Sequence, residues 1–292
     1  NNTTDAGTSA AGTIAADVSL SGGRLSNDSG ATLSGDTVVD GGTLVNDGTI
    51  TGLVTLDTGL LVNNATMDLL TVDGGQATND GTINGAATVT GGTFTSTGSV
   101  NSTLALTGGV ATVTGTVGGI DIATGARLTV SGGTATLTAS GPGVDNRGRV
   151  SIANGTLTGD TFVNRGTLDL GAASEVAQLD NRATTTVIGD ATVSGASSNT
   201  GTFTVASGSV DLDDFTNTGT GIMTFAGATT TTGSLTMAGG TANLVDGADL
   251  SGAAMALNGG VVRVNGSVTV GSVTADAATP AGTTLIDMTA GG

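Results

Sequence analysis

The chain has 292 residues, of which 52 are Gly and 2 are Pro; it has no Cys, His, Trp or Tyr, only 5 Phe, and a formal net charge of −17. That balance excludes the basic stripe that nucleic-acid phosphates require and opposes adsorption to anionic lipid. With His, Cys, Lys and Tyr all missing, the usual nucleophile and base arrangements cannot be assembled, and no Cys pattern identifies a compartment.

Asn1 to Asp17 is rich in Thr, Ala and Gly, with Ile14 its one clear inward candidate, and reads as an irregular first coil over 1–17. From Val18 to about Val117 a single design repeats. Its model is GGTLVNDGTITG from Gly41, in which apolar pulses flank an Asn-Asp-Gly corner, the signature of strand, sharp bend, strand. The corner residues Asn27, Asn46, Asn63 and Asn79 are 19, 17 and 16 residues apart, and Ser96 and Val113 follow at intervals of 17. Residues 118–143 keep alternating strands (Ile120 with Ile122, Leu128 with Val130) but lose the Asn, and Gly141-Pro142-Gly143 reads as a loop, because Pro cannot donate to a ladder. The corner then returns at Asn146, Asn164, Asn181, Asn199 and Asn217, spaced by 18, 17, 18 and 18. Past Phe225 it is lost again, and Asn265, 48 residues beyond Asn217, reads as three further turns of about 16. Residues 276–292, with Pro280 and the strand-like Leu285-Ile286, read as a terminal coil or a junction.

Aligned on the corner, apolar residues fall into columns. Two positions before it stand Leu25, Leu44, Leu61, Ala77, Phe94, Ala111, Val144, Phe162, Leu179 and Phe215; four after it stand Ile50, Met67, Ile83, Val100, Val117, Val150, Leu168 and Phe203. A third pulse follows, as in Val54 with Leu56 or Val210 with Leu212. Three pulses per period predict an all-β fold: a single-stranded parallel β-helix, or β-solenoid, with three short strands and about 16–19 residues per coil. One continuous solenoid is expected over 1–292, with about 17 coils and a length on the order of 80 Å at the spacing of paired strands. Its narrow core needs few aromatics. No stretch approaches the roughly 20 apolar residues of a membrane-spanning helix, so direct membrane insertion by this segment is not expected. With no initiator Met and no signal segment, Asn1 to Gly292 is expected to be a processed or excised part of a longer polypeptide.

Candidate chemistry is sparse. Asp213 beside Asp214, and Asp169 or Asp180 near another coil's acid, are the materials for a carboxylate pair. A solvated acidic rim explains them better, since sugar-cleaving clefts display aromatic platforms, and the chain is read as a non-enzyme. The column Asn27, Asn46, Asn63, Asn79, Asn146, Asn164, Asn181, Asn199 and Asn217 is read as a structural corner ladder: Asn tolerates left-handed backbone angles, bonds its own turn, and stacks amide on amide. The next position carries Asp28, Asp47 and Asp80 early in the chain and Arg147, Arg165 and Arg182 later, which predicts like charges stacked at an exposed edge. The acids are the weak candidates for a metal, namely calcium; otherwise no cofactor is expected. The Arg column is a contact ladder for an anionic sugar or a neighbouring molecule. Thr pairs such as Thr49/Thr51 and Thr202/Thr204 are too irregular for an ice-binding array and follow from β-propensity.

Runs such as GGTLVNDGTITG, VNRGTLDLG and SNTGTFTVASG resemble the passenger repeats of bacterial autotransporter adhesins and filamentous-haemagglutinin-type exoproteins. The resemblance implies a right-handed parallel β-helix, export across a Gram-negative envelope, and an extracellular, cell-surface role as adhesin, stalk or biofilm component. Residues 1–292 depart from that pattern in showing no large loop between coils, while the carboxy-terminal membrane barrel and amino-terminal secretion domain that the resemblance implies are expected outside this segment. Two functions follow as expectations. One is an extracellular structural or adhesive rod, touching surface glycans, matrix or sister molecules side by side. The other is a subunit of a self-assembling filament or lattice joined end to end through exposed coil edges.

Overall fold

Alternation of apolar and polar residues at period two, broken every few residues by Gly, leaves this chain only short strands, and the computed structural model shows how they are used. It describes residues 12–133, 144–159, 161–227, 229–275 and 285–289. The described residues are all-β, without helix, and their strands stack in parallel as a single-stranded β-solenoid of about 14 turns. The chain divides into two units, Asn1–Ser140 and Gly141–Gly292.

In the first unit each coil has three strands. Those ending at the corner stack in one column: Arg24–Asn27, the ends of Thr37–Asn46 and Thr49–Asn63, then Gln76–Asn79, Thr93–Ser96, Val110–Val113 and Arg127–Gly133. A second column is short and carries one inward residue per coil, Leu33, Ile50, Met67, Ile83, Val100 and Val117, all buried. The third carries inward pairs such as Val54 with Leu56, Leu70 with Val72 and Leu104 with Leu106. Because successive side chains of a strand point to opposite faces, each column sends alternate residues into one dry interior. Each large aliphatic side chain sealed there contributes roughly 1.5–3 kcal/mol.

The corner is tight for a steric reason. A Cβ on Gly98 would overlap the carbonyl oxygen of Gly81, and one on Gly115 the carbonyl oxygen of Gly98. The glycines of the Asn-x-Gly corners at Gly81 and Gly166 are crowded in the same way by a carbonyl of the coil beneath, although Ala65 and Ala183 occupy that corner position in other coils.

The second unit follows the same plan with a longer second strand. Arg149–Leu157, Thr167–Leu170, Thr184–Val187, Thr202–Val205 and Ile222–Phe225 send two residues inward per coil, among them Leu168 with Leu170 and Met223 with Phe225. All five Phe of the chain are buried, and Phe203 meets Phe215 with ring centroids 4.9 Å apart at a tilt of 53°. That tilted arrangement is one aromatic quadrupoles favour.

Several expectations change here. The described residues make about 14 turns, where about 17 were expected over all 292, and the later coils are wider than the earlier spacing suggested. Phe215 pairs with Leu235 and Leu235 with Met255, each 20 residues on, and Asn265 lies in the second column opposite Thr289, not in the corner column. The ladder Asn residues end their strands with ordinary backbone angles; among the described residues the non-Gly ones with positive φ are Asn154, Ala173 and Asp214. Left-handed freedom is therefore not why Asn occupies the corner. The expected terminal strand is present as Leu285–Thr289. The loop read at Gly141-Pro142-Gly143 and the position of Pro280 lie outside the described residues.

Candidate functional site: buried amide ladders, paired charges and an acidic groove

At the end of each corner strand the Asn side chain points inward, because it stands two residues after an inward Leu, Phe or Ala. Asn27, Asn46, Asn63 and Asn79 are at most 2% exposed, and Asn146, Asn164, Asn181, Asn199 and Asn217 are fully buried. In the first unit the amide Nδ2 of Asn27 donates to Oδ1 of Asn46 at 2.7 Å, Asn46 to Asn63 and Asn63 to Asn79 at 2.6 Å, and Asn79 to the Ser96 hydroxyl at 3.0 Å. In the second unit Asn146, Asn164, Asn181 and Asn199 each donate to the next Asn at 2.7–2.8 Å. The other amide hydrogen reaches a backbone carbonyl where the second strand begins one coil on, as from Asn164 to Thr184 O at 2.8 Å. The Oδ1 of Asn146 also accepts from its own turn, from Gly148 N at 3.0 Å. Buried amides are tolerated only when bonded, and Asn is the side chain whose donors and acceptors match one coil's rise in both directions.

The ladder stops where its column turns apolar, at Val113 and Val130 in the first unit and at Met237 and Leu257 in the second. Thr185, four residues after Asn181, was not foreseen as inward. It is buried, and its hydroxyl donates to Asn181 Oδ1 at 2.9 Å.

The position after the ladder stacks like charges in part: Asp28 and Asp47 follow on adjacent coils, and Arg147, Arg165 and Arg182 on three successive ones, but the acidic row is interrupted before Asp80. Asn64 stands between Asp47 and Asp80 in that column and donates to Asp47 at 2.7 Å; Thr97 donates to Asp80 at 2.6 Å, and Ser26 to Asp28 at 2.7 Å. Among the described residues no three carboxylates gather as a metal site would need. The same pattern recurs over the surface. Asp36 accepts Leu53 N at 2.9 Å, Asp73 the Thr90 hydroxyl at 2.5 Å, and Asp246 Ser267 N at 2.7 Å, each donor lying on the next coil or the one after a wide turn. A short carboxylate spans the gap of about 4.8 Å between coils, which accounts for Asp at nearly every acidic position and Glu only at Glu175.

Arg147, Arg165 and Arg182 stand on successive coils, and each is paired with an acid of the neighbouring column. Arg147 and Arg165 share Asp145 at 2.8 and 3.0 Å, and Arg182 binds Asp180 at 2.6 Å, while nearby Arg149 holds Asp169 at 2.7 Å. The hydrogen bond and charge of Asp180 raise the pKa of Arg182. Asp169 and Asp180, weighed as members of a catalytic pair, are thus bound to guanidinium groups.

The third strands of the second unit line a groove of about 370 Å³. Its floor is the outward column Thr156, Glu175, Thr192, Asp211 and Thr232, one residue per coil, with Asp190 and Ser209 at one edge. Asp190 accepts both the hydroxyl and the N–H of Ser209, at 2.7 and 3.0 Å, which stabilises its anion and lowers its pKa. Thr232 donates to Asp211 at 2.8 Å. These acids are not those singled out from the sequence. Aligning the third pulse, rather than the corner, would have placed Glu175 and Asp211 in one column. Asp213 and Asp214 lie instead in a register shift between Leu212 and Phe215.

No protein-family model matches this chain, and no curated protein or solved structure matches it either.

Proposed function

We propose that the chain is a non-catalytic structural segment of an extracellular bacterial surface protein, an adhesive or spacing solenoid that makes weak repeated contacts with surface glycans or matrix. One observation carries this reading. The buried Asn column, the Arg groups of the second unit and many of the Asp carboxylates are bonded between coils or to one another, so much of the chain's polarity serves to hold the solenoid together. Asp190 fits the same reading: an anion stabilised by two donors is a weak proton donor near neutral pH.

Displaying the chain on a non-adherent cell tests the role, together with a glycan-array and hydrolysis screen of the purified protein. Adhesion or glycan retention without hydrolysis is expected. Hydrolysis of a polysaccharide that is lost in Glu175→Gln would replace this reading with an enzyme. Electron microscopy addresses the end-to-end assembly: separate particles favour the spacer, long threads the filament.

A further inference from the structure

The second unit carries two opposed charge features, both running along the stack of coils. The first is a stripe holding four of the chain's seven arginines. Arg147, Arg165 and Arg182 stand on three successive coils, with Arg149 beside them, against Asp145, Asp169 and Asp180. Four guanidinium groups against three carboxylates leave the stripe positive on a chain whose formal charge is −17. The guanidinium side chains remain 42–62% exposed, so their outer donors face solvent.

The second feature is the groove, whose floor presents Glu175 and Asp211 two coils apart with Thr192 between them and Asp190 at the edge of the middle coil. No basic residue lines it. Glu175 and Asp211 are separated by two coils of about 4.8 Å each, the same separation as Arg147 and Arg182, so these two guanidinium groups can meet the two in-line carboxylates with Arg165 set between them. The stripe follows the corner strands and the groove lies on the third strands, so one copy cannot close the contact on itself.

We propose that the arginine stripe of one copy docks in the acidic groove of a second copy of this chain, side by side. The contact is heterologous: each copy that donates its stripe keeps its groove for another, so association grows with concentration instead of stopping at a dimer. This inference does not depend on where the protein works or on whether it binds glycans.

Sedimentation of the full chain tests it, from micromolar to millimolar concentration at low and high salt. The average mass is expected to rise with concentration near 0.01 M salt and to fall to that of the monomer near 1 M, where the Debye length shrinks from about 30 Å to about 3 Å. Reversing the stripe (R147E/R165E/R182E) or the groove (E175K/D211K) is expected to weaken association at least tenfold, and mixing the two variants to restore it. A wild-type chain that stays monomeric at low salt overturns the proposal whatever the variants do. So does association that survives either reversal in a folded variant, with the milder Glu175→Gln as a check. A monomeric chain retained on dextran sulfate through Arg165 and Arg182 overturns it in favour of an anionic polysaccharide.

Discussion

Asn164→Ala removes an interior rung of the second unit's ladder. In the wild type, Asn164 Oδ1 accepts Asn146 Nδ2 at 2.8 Å and Gly166 N at 3.3 Å, and its amide donates to Asn181 Oδ1 and Thr184 O at 2.8 Å. Asn181 Oδ1 keeps a donor in Thr185, but one hydrogen of Asn146 Nδ2 loses its partner in the interior and the half-buried Gly166 N–H loses its acceptor. At roughly 1–3 kcal/mol for each orphaned group, plus the space left by the side chain, the loss is about 3–5 kcal/mol. At about 2–4 °C per kcal/mol for this size, the melting temperature falls by roughly 10 °C. Thermal unfolding followed by circular dichroism measures it, with the exposed Asn84→Ala, expected to cost under about 0.5 kcal/mol, as control. The mechanism adds a second requirement. Replacing Asn146, Asn164, Asn181, Asn199 and Asn217 together by Leu removes donors along with their acceptors, so the five-fold variant loses far less than five times the single loss. A melting temperature for Asn164→Ala within about 2 °C of wild type, corresponding to under about 1 kcal/mol, would refute the reasoning.

Gly115→Ala forces a Cβ onto the Gly98 carbonyl, whereas Gly22 has open space around it. Urea midpoints are therefore expected to drop by the equivalent of about 3 kcal/mol for the first and to stay within about 0.5 kcal/mol for Gly22→Ala. The hydroxyls of Thr37 and Thr231 are buried without a partner, so Thr37→Val and Thr231→Val are each expected to stabilise by about 1 kcal/mol; a loss in both would show that those hydroxyls are bonded after all. Asp190 has a lowered pKa from the Ser209 hydroxyl and N–H. The sign follows: a depressed folded pKa contributes stability that is present above the ordinary carboxylate value and is lost as pH falls through the folded one. Carboxylate NMR should find the Asp190 titration moving back up toward the ordinary value in Ser209→Ala, and an unchanged midpoint would contradict the assignment.

Much of this fold was legible because the interior is periodic. Leu44, Leu61 and Phe94 stand in one column and Ile50, Met67 and Ile83 in another, and buried columns leave the same trace in sequence as in space. The ladder's existence was legible too, but its place was not: Asn-x-Gly is a turn signal whichever way the amide points, and only the two-residue offset from Leu44 or Phe162 turns Asn46 and Asn164 inward. Charge was misread for a related reason. Asp28 and Asp47 do stand on adjacent coils, but counting only acids hid Asn64 and Thr97, which make the rest of the column a row of acceptors and donors. Spacing failed beyond Phe225, where Asn265 imitated a corner although the coils had widened to 20 residues. The groove escaped notice because its column carries no invariant marker; Thr and acid alternate there, and each alone reads as ordinary strand surface.

The central claim is that inward asparagines, bonded amide to amide, form a sealed polar seam within each unit's apolar core. Hydrogen exchange of the side-chain amides by NMR tests it most directly. The NH₂ protons of Asn46, Asn63, Asn164, Asn181 and Asn199 are expected to exchange only when their coils open, orders of magnitude slower than those of the exposed Asn84 and Asn101. Equal, fast exchange for both sets would contradict the account.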